Sequence, residues 1–92
     1  MNEHTIRDVL ERIINKYGVN EQSRQAMEEL AELIQAINKC LRYPTRVSRL
    51  QLIEEIADVS IMIGQLRLMY DIDDGELETV IYDKLNKMNE TI

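Results

Sequence analysis

The sequence predicts an all-α fold of four helices within a single domain. Glycine and proline number only 3 and 1, which is too few for the many turns of a β fold. Apolar residues recur at the three- and four-residue spacing of a helix face in four successive segments. At 92 residues the chain fits one domain, residues 1–92, with no room for a second.

The composition excludes several classes of protein. Hydrophobic residues make up 45% and charged residues 30%, as in an ordinary globular domain and unlike a disordered chain. The net charge of −6 argues against nucleic acid as a partner, because phosphate binding needs a basic face. The single cysteine, Cys40, cannot form an internal disulfide. No apolar run reaches the ~18 residues of a membrane span and no signal-peptide core is present, so we expect a cytoplasmic protein without a membrane partner.

The first two helices are predicted over Thr5–Tyr17 and Glu21–Leu41. Thr5 and Asn20 are the expected N-caps, and Pro44 ends the second helix because proline disfavours helix at the residue before it. The apolar side of the first helix consists of Ile6, Val9, Leu10, Ile13, Ile14 and Tyr17. The stripe of the second consists of Met27, Leu30, Ile34, Ile37 and Leu41.

The third helix is predicted from Val47 or Arg49 to Tyr70, with Ser48 and Gln51 spaced as a capping box. It carries two apolar stripes on different sides. One is Leu52, Ile56, Val59, Ile63, Leu66 and Tyr70, and the other is Leu50, Ala57, Ile61, Gly64 and Leu68. A helix apolar on two faces is buried on two faces. We therefore expect it to pack within its own subunit and against a second copy of the chain, which a small domain with a marginal core also favours.

The fourth helix is predicted from Asp74 to Met88 or beyond. Asp71, Asp73 and Asp74 supply N-terminal caps and a favourable charge for the helix dipole. Its apolar side consists of Leu77, Val80, Ile81, Leu85, Met88 and Ile92.

Two pairs of acidic residues stand apart from scattered surface charge. Glu29 and Glu32 lie one turn apart on the second helix, and Glu55 and Asp58 do so on the third. If the two helices fold as an antiparallel hairpin about Tyr43 and Pro44, the pairs come to about the same height. Four carboxylates close together suit Mg²⁺ or Mn²⁺, which are hard cations with oxygen ligands.

The positions of nearby residues add to this hypothesis. Glu55 and Asp58 fall between the two apolar stripes of their helix, so they should be partly buried, where uncompensated charge is costly. Lys84 lies within the apolar stripe of the fourth helix, and Lys87 lies at its edge. Lysines beside a metal-bearing acidic cluster would suit a polyphosphate ligand.

The run EELAELIQAIN, the turn after it and the run LIEEIADVSIMIGQL resemble the E-x-x-E … E-x-x-D signature of the MazG-like all-α nucleoside triphosphate pyrophosphohydrolases. The resemblance implies a four-helix MazG-like bundle whose oligomeric core is formed by paired helical hairpins, in a dimer or a tetramer. It also implies Mg²⁺-dependent cleavage of a (deoxy)nucleoside triphosphate to the nucleoside monophosphate and pyrophosphate.

Carried onto this chain, the resemblance assigns roles to particular residues. The implied Mg²⁺ ligands are Glu29, Glu32, Glu55 and Asp58. Lys84 falls where the family tends to place a phosphate-contacting lysine, and Lys87 is a weaker match. Glu29 is the candidate base that takes the proton of the attacking water. No tryptophan or phenylalanine can stack on the nucleobase, so its recognition falls to Tyr17, Tyr43, Tyr70, Tyr82, His4 or Gln25.

The alternative, from a different class, is a non-catalytic helical dimerisation or interaction module. Its carboxylates would be solvated, Lys84 would extend its amine into water, and its stability would not depend on Mg²⁺. A di-iron bundle is disfavoured because its E-x-x-H motif is absent and His4 is the only histidine. A P-loop enzyme is excluded because no G-x-x-x-x-G-K segment is present.

Overall fold

The computed structural model describes residues 1–92 and contains four α-helices and no strand. The helices are α1 (Glu3–Tyr17), α2 (Val19–Arg42), α3 (Arg46–Met69) and α4 (Asp74–Thr91). The predicted all-α class and the number of helices are confirmed. None of the four helices combines the length and the apolar character that crossing a membrane requires.

The first two helices begin earlier than their predicted caps. Asn2 is the N-cap of α1, and its Oδ1 accepts a hydrogen bond of 2.9 Å from the backbone N–H of Thr5. Gly18 alone separates α1 from α2, with a φ of 87° that favours glycine. Asn20 therefore lies inside α2, which has no side-chain cap. The predictions of Thr5 and Asn20 as N-caps are wrong, because Asn2 already caps α1 and α2 begins directly after Gly18.

The last two helices both begin with a capping box. The Oγ1 of Thr45 accepts a hydrogen bond from the backbone N–H of Ser48, and the Ser48 Oγ accepts one from the backbone N–H of Thr45. Ser48 is therefore the N3 residue of a capping box with Thr45, and not the N-cap of the predicted box with Gln51. Asp73 and Glu76 form the same motif at the start of α4, as the predicted aspartate caps require.

Helices α2 and α3 form an antiparallel hairpin. The thiol of Cys40 donates to the backbone oxygen of Ser48 next to the turn, at 3.2 Å, and Ser23 hydrogen-bonds to the Tyr70 hydroxyl at the opposite end, at 2.8 Å. The facing residues, which we call the hairpin seam, are buried or half-buried. They are Gln22, Ala26, Glu29, Leu33, Ala36 and Cys40 on α2, and Ser48, Leu52, Glu55, Val59, Met62 and Leu66 on α3.

The predicted apolar stripe of α2 lies outside this seam. Its members, Met27, Leu30, Ile34, Ile37 and Leu41, are between 43% and 79% exposed. The seam lies about one residue, or roughly 100°, further round the helix. Ala26 and Ala36 occupy it, and their small side chains let the two backbones approach closely. The hairpin therefore presents a second apolar surface that this chain leaves uncovered.

Helix α1 crosses α3 at Gly64. A Cβ atom at this position would come within 3.1 Å of Leu10 Cδ1, so any larger residue would require the Leu10 side chain to move by a few tenths of an ångström. Val9, Leu10, Ile13 and Ile14 of α1 are half-buried by this packing, which places the C-terminal half of α1 across the hairpin.

Helix α4 packs against none of the other three helices. Its one link to them is the ion pair between Asp74 and Arg67 of α3. Because α4 stands apart, the radius of gyration is 15.8 Å, against about 12 Å for a compact domain of this length. The accessible surface is 7555 Å², against roughly 5,500 Å² for a compact monomer of this mass.

Candidate metal centre

The hairpin brings three of the predicted carboxylates together. Glu29 and Glu32 project from successive turns of α2, and Glu55 projects from α3. One carboxylate oxygen of each lies within 4.8 Å of the others. Asp58 lies beside these three, close enough for its charge to act on Glu29 and Glu55. We call these four residues the carboxylate cluster.

Two oxygen atoms of the cluster are buried without a partner. Glu29 and Glu55 are half-buried in the hairpin seam, and the Oε2 of each has no hydrogen bond. The other oxygen of Glu29, Oε1, accepts a hydrogen bond of 2.8 Å from the Gln25 amide. A carboxylate oxygen removed from water without a donor or a cation is unfavourable. The two Oε2 atoms are therefore positions at which a cation would be favourable.

The same surroundings raise the pKa of both seam carboxylates above the ordinary value of 4.5. For Glu29 the main cause is burial; the negative charges of Glu32 and Asp58 add to it, and the Gln25 hydrogen bond opposes it. For Glu55 burial is again the main cause, followed by the charges of Glu32, Asp58 and Glu29. Each group thus holds its proton more tightly in the folded chain.

No side chain of this protein neutralises the cluster. The ion pairs of the chain join Arg7 to Glu11, Arg24 to Glu21 and Arg67 to Asp74, and none includes a cluster residue. Several close carboxylates without a basic side chain are the donor set that hard divalent cations prefer. The residues present therefore fit Mg²⁺ or Mn²⁺, with Glu29, Glu32 and Glu55 as the nearest ligands.

The lysines assigned to phosphate binding lie elsewhere within a single chain. Lys84 and Lys87 are exposed on α4, which packs against neither α2 nor α3. Their role as phosphate ligands stays a prediction, and within one chain the fold does not bring them to the carboxylate cluster.

A cavity of about 420 Å³ adjoins the cluster between α1, α2 and α3. Glu29 and Asp58 belong to both, and Tyr17 and Gln25 are the residues on its wall that the sequence suggested for base recognition. Tyr43, Tyr70, Tyr82 and His4 do not line it. The buried amides of Gln22 and Gln65 do, although sequence reasoning did not single them out. The sequence feature that could have identified Gln22 and Gln65 is that each is a polar residue at a position on the buried face of its helix.

Comparisons with protein-family models, with curated proteins and with solved structures find no match. The likeness of the two acidic motifs to the MazG-like enzymes therefore stays an expectation. What the site does is inferred from its own residues: clustered oxygen ligands, two unpartnered carboxylate oxygens and an adjoining cavity.

Proposed function

We propose that this protein is a Mg²⁺-dependent nucleotide pyrophosphohydrolase that cleaves a (deoxy)nucleoside triphosphate to the monophosphate and pyrophosphate. The observation that carries the proposal is the convergence of Glu29, Glu32 and Glu55 within 4.8 Å. The two buried, unpartnered Oε2 atoms among them support a bound cation. The likeness of the acidic motifs to the MazG-like bundle supports the choice of reaction.

The carboxylates are close enough to share one ion. Mg²⁺ holds oxygen ligands at about 2.1 Å, so small side-chain rotations would bring oxygens now within 4.8 Å into one coordination sphere. Bound there, the ion would neutralise phosphate charge and lower the pKa of a water molecule. Asp58, at the side of the cluster, is the fourth candidate ligand.

Glu29 has the surroundings of a general base. Gln25 holds its Oε1 at 2.8 Å and so fixes the plane of the carboxylate, while Oε2 has no partner. Burial, together with the charges of Glu32 and Asp58, raises its pKa in the metal-free chain, which favours a role as proton acceptor. The proposed role is to take the proton from the attacking water.

The test is pyrophosphate release from a panel of ribo- and deoxyribonucleoside triphosphates, with Mg²⁺ and with chelator. Glu55→Gln should abolish release, because it removes one charged ligand and preserves the shape of the side chain. Glu54→Gln is the matched control, since Glu54 is exposed one residue away on the same helix. Release from no nucleotide, or equal release by both variants, would refute the proposal.

We further propose that the active form is a homodimer or homotetramer. The chain exposes about 2,000 Å² more than a compact monomer of its mass, which is the scale that an obligate dimer buries. The uncovered stripe of α2 and the detached α4 are the apolar surfaces available for this contact. The α4 helix of a second copy would then bring its Lys84 and Lys87 to the carboxylate cluster, which a single chain does not do.

Complementation tests this arrangement. Glu55→Gln lacks a ligand and Lys84→Gln lacks the lysine, so each should be inactive alone. The two variants are mixed in equal amounts and refolded, so that about half of the dimers contain one copy of each. If one copy supplies the lysine to the other, each mixed dimer has one intact site of two, which gives about a quarter of the wild-type activity. Lys16→Gln, which removes a lysine at an exposed position of α1, is the control for the loss of Lys84. No recovery from two inactive variants would contradict delivery by a partner.

The second candidate function is the interaction module. The exposed apolar stripes favour it, because they account for self-association without any use of the carboxylates. In that case Mg²⁺ would leave the melting temperature unchanged and no nucleotide would be hydrolysed.

A further inference from the structure

The cavity beside the carboxylate cluster has two chemically different ends. Glu29 and Asp58 form the end that it shares with the cluster. Its far wall contains Gln65 of α3, next to the apolar side chains of Ile61 and Met62. The volume of about 420 Å³ lies within the range of small-molecule sites.

Gln65 is the least expected residue of this wall. It is only 2% exposed, and its Oε1 atom has no hydrogen-bond partner. The unpartnered atom is an acceptor, so a ligand N–H group would supply the donor that Gln65 Oε1 lacks. Buried amide oxygens without partners are rare in folded proteins, and the residue that carries this one lines the cavity.

The remaining wall favours a neutral ligand rich in hydrogen-bond donors. No lysine, arginine or histidine lines the cavity, so it does not suit a phosphate group. The carboxylates of Glu21, Glu29 and Asp58 give it a negative polar surface with three groups that only accept hydrogen bonds, beside neutral amide and hydroxyl side chains. A flat group with N–H donors would fit between these acceptors and the apolar side chains.

We propose that this cavity holds the nucleobase of the substrate, and that Gln65 favours adenine or cytosine, the bases with an amino group at the position where hypoxanthine and uracil have a keto oxygen. The inference rests on the proposed function, which places the phosphates at the carboxylate cluster. An amino group offers two donors to the amide and to the carboxylates. The keto oxygen of hypoxanthine or uracil at the same position only accepts, and it would face the carboxylates.

Nucleosides test the proposal without metal or catalysis. Adenosine against inosine and cytidine against uridine each compare an amino group with a keto group. Binding is followed by NMR of methionine methyl groups: Met62 lines the cavity, whereas Met27 lies on the exposed stripe of α2 and serves as reference. We expect the Met62 signal to shift alone, with Kd at least tenfold lower for the amino member of each pair. Equal Kd values within both pairs, or no shift at Met62, would overturn the proposal.

Gln65→Met removes the amide and keeps a side chain of similar length. We expect the preference within each pair to fall below threefold while the melting temperature stays at or above that of the wild type, because an unpartnered buried group is removed. Gln51→Met, at an exposed site on the same helix, should keep the preference. If Gln65→Met keeps the preference for the amino nucleosides, the assignment of that preference to Gln65 is overturned. The titration of the wild type tests the cavity as the base site whether or not the variant folds.

The two proposals fail differently. Selective nucleoside binding without pyrophosphate release from any triphosphate would refute the enzymatic function and leave the base site standing. Mg²⁺-dependent release at equal rates from all triphosphates, without nucleoside selectivity, would overturn only the base site.

Discussion

Replacing Glu29 with glutamine should stabilise the metal-free protein and remove its response to Mg²⁺. Glutamine has the same shape and can still accept the hydrogen bond from Gln25, so the substitution changes mainly the charge. It also supplies an N–H donor beside the carboxylates of Glu32 and Glu55. A carboxylate that only packed on the surface would show neither effect.

The magnitude follows from the separation of the charges. Two unit charges 4.8 Å apart repel by about 1 kcal/mol even with the full screening of water. Glu29 has two such neighbours, so Glu29→Gln should raise the free energy of unfolding by about 1–2 kcal/mol. For a chain of this size each kcal/mol shifts the melting temperature by about 4–8 °C.

The assay is thermal unfolding followed by circular dichroism, at one protein concentration, with chelator and with 10 times the apparent Kd of Mg²⁺. Mass action then predicts a stabilisation of the wild type by about 1.4 kcal/mol and none of Glu29→Gln. Glu28→Gln is the matched control, because it removes the same charge at an exposed neighbouring position. The reasoning is refuted if Glu29→Gln melts no higher than Glu28→Gln without metal, or if Mg²⁺ stabilises both variants equally.

Three other predictions follow from the same structure. The increase in the free energy of unfolding caused by Glu29→Gln should be small below pH 4.5 and should grow as the pH rises through the raised native pKa of Glu29. The reason is that the wild-type carboxylate then ionises in unfavourable surroundings. Denaturant unfolding of both proteins across pH 4–8 measures this increase. Leu85→Glu, at a residue 53% exposed on α4, should raise the Kd of self-association at least tenfold without loss of helicity, as measured by light scattering and circular dichroism. Ser48→Ala should cost about 1–2 kcal/mol in denaturant unfolding, because it removes the acceptor for the backbone N–H of Thr45; a smaller loss than for an exposed serine such as Ser60 would contradict this role.

The sequence was sufficient to predict the four helices and the approach of the carboxylates, and for a physical reason. Glu32 and Glu55 are equidistant in sequence from the turn at Tyr43 and Pro44, as are Glu29 and Asp58, and an antiparallel hairpin turns such a relation into proximity in space. Periodicity could not say which side of α2 faces α3. An apolar stripe shows that a surface is buried somewhere, whereas Ala26 and Ala36 decide how closely two helices can approach.

The position of α4 was beyond the sequence for a related reason. Its capping box begins the helix at Asp73 and its apolar side is regular, so its existence and start are local properties. Its packing is not a local property, and in this structure it lies against none of the other three helices. The amide of Gln65 escaped notice because a single glutamine among apolar residues is read as exposed unless the packing around it is known.

Three features that weaken the isolated chain each match a different ligand. The unpartnered oxygens of Glu29 and Glu55 match a divalent cation, the unpartnered amide of Gln65 matches a donor on a base, and the uncovered faces of α2 and α4 match a second copy of the chain. Each ligand relieves its own unfavourable group, so each should stabilise the fold independently unless the groups share a contact. The cation and the base do share one, because Glu29 and Asp58 line both sites. We therefore expect the stabilisation by Mg²⁺ and by nucleoside to be non-additive, while self-association adds to both.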